Sequence, residues 1–271
     1  MTDSVRPWLI ALDIDGTVLH EDGTLAPAVI EAVHKARDEG HEVTLATGRS
    51  VSMTIPILDR LDIAPEYVVC SNGAITLQRD NSAPSGYRRF HVEHFDPRSV
   101  LTRIKERLPQ AHYAVEDEMG LYRYTDWFPE GALDAVSEQV TFDELLTTVA
   151  TRVVVISPGH DIDDFLKVVE DMGLHQVSYT VGWTAWLDIA PEGINKSTAL
   201  EMVRTKLGFE LDRVMVVGDG RNDIEMLQWA AKQGRAVAMG QAPEEVQIHA
   251  SEVTDDFLSD GVAKALATLS H

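Results

Sequence analysis

Short apolar runs, each stopped abruptly by small, hydroxylated or acidic residues, most constrain what this chain can fold into. WLIAL runs straight into Asp13-Ile14-Asp15-Gly16-Thr17, EVTLA into Thr47-Gly48-Arg49, YVVC into Ser71-Asn72-Gly73, and VMVV into Gly218-Asp219-Gly220. Runs of this length without polar alternation read as strands buried on both faces, the pattern of a parallel sheet. Between the first two runs, Pro27 stands where a helix starts. Val29, Ile30, Val33 and Ala36 then recur at helical spacing, and Gly40 fits the stop. Asp22-Gly23 marks a tight turn just before. Strand, helix, strand with short links is a βαβ unit, so a parallel sheet with right-handed crossovers is expected.

The far end repeats this grammar. WLDIA reads as a strand, and Leu200, Val203 and Leu207 share a face of a helix over 196–207 closed by Gly208. VMVVGDG, DIEMLQWAA, AVAMG and DGVAKALATL then read as strand, helix, strand and closing helix. Both chain ends therefore belong to one α/β sheet. The middle differs. It opens on the loop-like DNSAPSGYRR and mixes alternating strands (RFHVEHF, LYRYTDWF) with amphipathic helices (RSVLTRIKERL, DIDDFLKVVEDMG). The expected organisation is a core built from 1–81 and 186–271, with an α+β domain of residues 82–185 inserted into it.

A length of 271 residues allows one large domain or two modest ones. The net charge of -21 argues against a nucleic-acid partner, because phosphate-backbone binding needs a basic surface. Any anion site must be built from local positive groups. The single cysteine, Cys70, excludes an internal disulfide and a cysteine-rich metal cluster. No leader-like segment opens the chain, and no apolar run approaches the ~18 residues of a membrane span. A cytoplasmic protein without a membrane partner is expected; nothing in the sequence addresses its oligomeric state.

In a parallel sheet, ligand sites lie at the carboxyl ends of the strands. Asp13 and Asp15 fall there, and side chains two apart on extended backbone share a side. Like charges so close raise a pKa or demand a cation, and a hard ion such as Mg²⁺ with oxygen ligands would relieve the repulsion. Taken alone, the motif reads more often as a solvated strand-end turn. The further stretches each add to it. Thr47 and the backbone after it lead into a helix and suit an anion cradle, though alone they read as a plain helix start. INKS puts Lys196 at a helix start, where on its own it would be a surface lysine. VVGDGRND brings Asp219, Asn222 and Asp223 into a glycine turn. Each signal is modest, but the set stands in order, each member at a strand end.

With those residues in place, the chain resembles the haloacid dehalogenase (HAD) superfamily, in its Cof-type phosphatase branch with a C2 (type IIB) cap. DIDGT, ATGR, GINKSTAL and GDGRNDIEML resemble its four motifs, and AMGQAPEEV and DDFLSDGVAKAL its tail. The resemblance implies a Rossmann-like core with the cap inserted between the second and third motifs. It implies a Mg²⁺-dependent phosphatase of small phosphorylated metabolites such as a sugar phosphate, FMN or pyridoxal phosphate. Asp13 would be the nucleophile that forms an aspartyl-phosphate, and Asp15 the general acid and base. Thr47, Gly48, Lys196 and Asn222 would hold the phosphoryl group. Asp13, Asp219 and the backbone carbonyl of Asp15 would hold the metal, supported by Gly16, Thr17 and Asp223, with Asn72 lining the site. Gln241 stands where the family often has Asn, which puts one structural hydrogen bond in doubt. A phosphotransferase or phosphomutase on the same fold is the alternative activity. A phosphate-binding regulator without catalysis is the alternative from another class.

Other candidates carry blander readings. Cys70 reads as a core residue, and His91 and His94 as surface histidines on opposite faces of a strand. Arg88, Arg89 and Arg123 read as a solvated face, and Trp183 with Trp186 as core or seam.

Overall fold

The computed structural model describes residues 6–129, 133, 136–174, 177–181 and 185–269. The chain begins with β1 (Leu9–Leu12), α1 (Pro27–Asp38), β2 (Glu42–Leu45), α2 (Val51–Leu61), β3 (Tyr67–Cys70), β4 (Ile75–Arg79) and β5 (Tyr87–Val92). It continues through α3 (Arg98–Arg107), β6 (His112–Glu116), β7 (Tyr122–Tyr124), β8 (Ser137–Gln139), α4 (Phe142–Leu145), β9 (Arg152–Ile156), α5 (Ile162–Met172), β10 (Val177–Val181) and β11 (Trp186–Pro191). It closes with α6 (Lys196–Leu207), β12 (Val214–Gly218), α7 (Ile224–Ala230), β13 (Arg235–Ala238), α8 (Glu244–Gln247), β14 (Glu252–Val253) and α9 (Gly261–Ala267).

The core sheet is parallel, in the order β14-β13-β12-β1-β2. A bridge between Ala46 and Val69 carries it on to β3, which pairs antiparallel with β4 and through it with β5. Strand alternation sorts the residues of β1 onto two faces. Ile10 and Leu12 join a cluster with Val29 and Val33 of α1, Leu58 of α2 and Leu266 of α9. Leu9 and Ala11 join the opposite cluster, with Leu200 and Val203 of α6 and Met226 and Leu227 of α7. Helices thus cover both faces, and each fully buried Leu or Ile contributes roughly 1.5–3 kcal/mol. The chain runs outward from β1 through β2 on one side and from β12 through β13 on the other. β1 and β12 therefore flank the switch point, where a crevice opens at the strand ends.

A second sheet has six strands, in the order β10-β11-β9-β6-β7-β8. One face packs on α3 and α5 through Leu101, Ile104, Val115, Val153, Phe165 and Ile189. The alternate residues Glu116, Arg152 and Asp188 point from the other face. Sequence and structure part at the junctions. Tyr87–Val92, expected in the inserted segment, pairs with β4 beside the core. Trp186–Pro191, expected as a core strand, pairs antiparallel with β9 and β10 in the six-stranded sheet. Leu187 and Ile189 are fully buried while Trp186 and Asp188 are half-buried, the alternation of a sheet with helices on one face. Trp183 lies outside the described residues. Trp186 meets Phe128 edge-on, with ring centroids 6.3 Å apart, and its indole N–H donates to Asp188 Oδ2 at 2.9 Å.

Candidate active site

The end of β1 delivers Asp13, whose amide donates to Val217 O of β12 at 3.0 Å. Its Oδ1 lies 2.6 Å from Lys196 Nζ, and Asp223 Oδ1 lies 2.6 Å from the same nitrogen. Lys196 is 0% exposed, at the first turn of α6. Asn195 fixes that turn by accepting the Ser197 and Thr198 amides on its side-chain oxygen, a strong N-cap. Asp223 Oδ2 accepts the amides of Asp219 and Gly220 at 2.9 and 2.8 Å, so one carboxylate ties the lysine to the turn after β12.

Asp219 faces this group. Thr17 Oγ1 donates to its Oδ1 at 3.2 Å, and Gln241 Nε2 reaches its Oδ2 at 3.4 Å and Gly16 O at 2.5 Å. Gln241 thus ties the turn after β1 to Asp219. Gly16 has φ +74°, and a Cβ there would overlap the Asp219 carboxylate, so the turn needs glycine.

Asp13, Asp219 and Asp223 each offer an oxygen to a common space, all within 4.8 Å of one another. Three carboxylates face one ammonium there, and the electrostatics show it. Burial, then the neighbouring Asp223, push the Asp13 carboxyl well above its usual range against the pull of Lys196. Burial and Asp223 push Asp219 up to about 7. Burial works against the Lys196 charge, but Asp13 and Asp223 outweigh it and raise its pKa. An all-oxygen cluster with more carboxylates than cations fits a hard divalent ion.

Asp15 is placed differently. Its side chain is 62% exposed and turns away from the cluster to Arg49, which donates from Nε at 2.9 Å and from Nη2 at 2.5 Å. The Asp15 carboxylate therefore lies outside the candidate metal group. Arg49 was in view within ATGR, but nothing in the sequence paired it with Asp15.

The Thr47–Arg49 turn joins β2 to α2. Thr47 is fully buried, its amide bonded to Val69 O at 3.0 Å and its hydroxyl accepting the Arg49 amide at 3.0 Å. Asn222 Nδ2 donates to Asn72 Oδ1 at 3.0 Å, and a Cβ on Gly48 would lie 3.0 Å from that oxygen. Thr47, Gly48, Asn72, Asn222 and Lys196 thus lie around the strand ends.

The other candidates fall elsewhere. His91 pairs with Glu93 at 2.8 Å, and Arg123 with Asp117 at 3.0 Å and Glu138 at 2.7 Å. Arg88 bonds Gln78, and Cys70 is buried in the core. The sequence reading missed a cavity of about 250 Å³ beside Asn72 and Asn222, lined also by Arg152, Asp188, Asn195 and Glu225. Its walls come from strands, turns and a helix far apart in sequence, so no local motif marks it.

The chain is similar along most of its length to several known proteins. Residues 10–266 match the family model described as haloacid dehalogenase-like hydrolase. A 5-amino-6-(5-phospho-D-ribitylamino)uracil phosphatase of Bacillus subtilis (strain 168) is 26% identical over 268 residues, covering 96% of this chain and 97% of that one. The pyridoxal phosphate phosphatase of Escherichia coli (strain K12) is 29% identical over 279 residues, covering 94% and 96%. Among solved structures, a HAD subclass IIB sugar phosphatase superposes with a TM-score of 0.79 at 21% identity, covering 96% of this chain and 98% of its own. A phosphatase of the same superfamily from Bacteroides thetaiotaomicron gives 0.76 at 25% identity, covering 99% and 97%. Among the described residues no helix is long and apolar enough to cross a membrane.

Proposed function

The chain belongs to the haloacid dehalogenase-like hydrolases, and from that premise we propose a Mg²⁺-dependent phosphatase of small phosphorylated metabolites that works through an aspartyl-phosphate on Asp13. The observation that carries this reading is the buried Asp13–Lys196–Asp223 chain at the switch point, beside Asp219 and across from the Thr47–Gly48 turn. Asp13 and Asp219 would hold the cation with the backbone of Asp15. The cation supplies charge neutralisation that lets an anionic nucleophile meet an anionic ester.

An Asp13 oxygen attacks phosphorus and the bond to the leaving oxygen breaks. Asp15 gives that oxygen its proton, then takes one from the water that frees inorganic phosphate and restores Asp13. Arg49 must first release the Asp15 carboxylate. Lys196 and the Thr47–Gly48 turn balance charge on the phosphoryl oxygens, with Asn222 beside them. The six-stranded unit, which we place at roughly residues 93–192 from its strand pairing, serves as the cap. The cavity of about 250 Å³ beneath it suits a modest polar group next to the phosphate. The named substrates of the relatives, a phosphoribityl pyrimidine and pyridoxal phosphate, support that size class.

The test is phosphate release from an aryl phosphate and from a panel of phosphorylated metabolites, with MgCl₂ or excess chelator. Turnover is expected only with the metal, and Asp13→Asn should abolish it. Full activity in chelator would overturn the metal role, and turnover by Asp13→Asn the nucleophile. Phosphoryl transfer to a second sugar in place of free phosphate would make the protein a phosphotransferase.

A further inference from the structure

We infer that Glu116, on the six-stranded unit, is a positioning residue that holds the phosphate cradle of the core in its binding form. Glu116 is 0% exposed and ends β6. Its Oε2 accepts the Ser71 hydroxyl at 3.0 Å and the Tyr122 hydroxyl at 3.1 Å. Arg152 Nη1 donates to the Tyr122 oxygen at 3.0 Å, while Arg152 Nε and Nη2 both lie 2.6 Å from Asp188 Oδ1. A continuous buried polar chain thus runs from β11 through β9, β7 and β6 into a loop of the core.

That loop is an unusual thing to hold. Ser71 has φ +48° and Asn72 φ +51°, two successive non-glycine residues in the left-handed region. Such a backbone persists only where its surroundings over-determine it. Core contacts supply part of the restraint. The Ser71 amide donates to Arg49 O at 2.8 Å and the Asn72 amide to Thr47 O at 3.0 Å. The same two bonds weld the loop to the turn that would cradle phosphate, and Asn72 presents its oxygen to Asn222. Glu116 supplies a restraint from the other unit. With the two units together, Ser71 has a buried carboxylate acceptor and the loop is fixed. With them apart, that bond is lost and the loop keeps only its core contacts. Coupling of this kind is reciprocal: a bound phosphate favours the closed arrangement by as much as closure favours phosphate.

The inference rests on the phosphatase reading for the identity of the cradle, and its test separates the two. Ser71→Ala, Glu116→Leu, the double variant and Glu116→Gln are compared for three properties: inorganic phosphate binding by calorimetry in excess MgCl₂, KM and kcat on an aryl phosphate, and cooperative thermal unfolding. Ser71→Ala and Glu116→Leu should each weaken phosphate about tenfold, the scale of one well-made buried hydrogen bond. The double variant should be little worse than either, because both remove the same contact. Glu116→Gln keeps an oxygen where Oε2 stands and should retain most of the affinity. Tyr113→Phe is the control. It removes a buried bond to Leu108 O, 2.6 Å long, on the far face of the same sheet, and should lower Tm without moving phosphate affinity. If Glu116→Leu does not unfold cooperatively, Ser71→Ala, which deletes a single oxygen, decides. Unchanged phosphate affinity in Ser71→Ala, or losses that simply add in the double variant, would overturn the role. A wild type that binds phosphate but turns over no ester would overturn the phosphatase reading alone, and the binding arm would still decide the case of Glu116.

Discussion

Lys196 carries its charge with no contact to water because Asp13 and Asp223 each stand 2.6 Å from Nζ. Removing one member of a buried ion group is costly because the partners stay charged and unpaired. Lys196→Met should therefore lower stability in chelator by about 3–5 kcal/mol by urea unfolding, with MgCl₂ recovering part of the loss. An unaltered midpoint would mean that the lysine does not support the fold. The carboxylates beside it predict a pH dependence of unusual sign. Burial raises the folded pKa of Asp219 to about 7, above the unfolded value of 3.8. The proton is then held more tightly in the folded state. Its contribution is complete below the unfolded value and lost as pH rises towards 7. In chelator, Asp219→Asn, a permanent mimic of the protonated form, should be more stable than wild type near pH 7, and the gap should close near pH 4. A constant gap across that range would show that Asp219 does not titrate this way.

The elements place these residues by ending where they do. β1, β2 and β12 stop together at one edge, so Asp13, Thr47 and Asp219, distant in sequence, come together there. The connection from α1 into β2 holds a second titratable group. The Trp8 amide donates to His41 Nδ1 at 3.2 Å, which requires that nitrogen unprotonated, and burial lowers the His41 pKa below 6.5. A depressed histidine contributes stability that is complete above the unfolded pKa and lost as pH falls through the folded one. With MgCl₂ present to mask the carboxylates, stability should fall more steeply from pH 7 to 5 in wild type than in His41→Gln, whose amide oxygen can still accept from Trp8. Parallel slopes would clear His41 of any part in acid sensitivity.

At the scale of the whole molecule, each sheet has its own apolar cluster. The residues packed between the six-stranded sheet and its helices all lie between Phe95 and Ile189. Replacing residues 93–192 with a short linker should thus leave a core with Asp13, Lys196 and Asp219 in place. The excised core is expected to unfold cooperatively and to hydrolyse an aryl phosphate weakly. Its ranking of natural metabolites should flatten, because contacts remote from phosphorus no longer support the reacting centre. An excised core that kept the full-length ranking would place the specificity determinants outside the cap. The loss of Glu116 should also show in such a core as weaker phosphate binding.

The sequence by itself determined the parallel core and the residues at its strand ends. Continuous apolar runs such as Leu9–Leu12 and Val214–Gly218 have one stable environment, the middle of a covered sheet, and whatever follows them must emerge at its edge. Asp13, Thr47 and Asp219 were legible for that reason, whereas Lys196 was singled out only through the family resemblance, since on its own a lysine at a helix start reads as a surface residue. Tertiary structure alone decided which sheet received Trp186–Pro191, since a strand's own residues state its burial but not its partner. It also decided that Asp15 meets Arg49 and that Glu116 meets Ser71, contacts spanning 34 and 45 positions. Such pairings leave no local signal, because a hydrogen bond between distant segments is chosen by the packing of the elements that carry them.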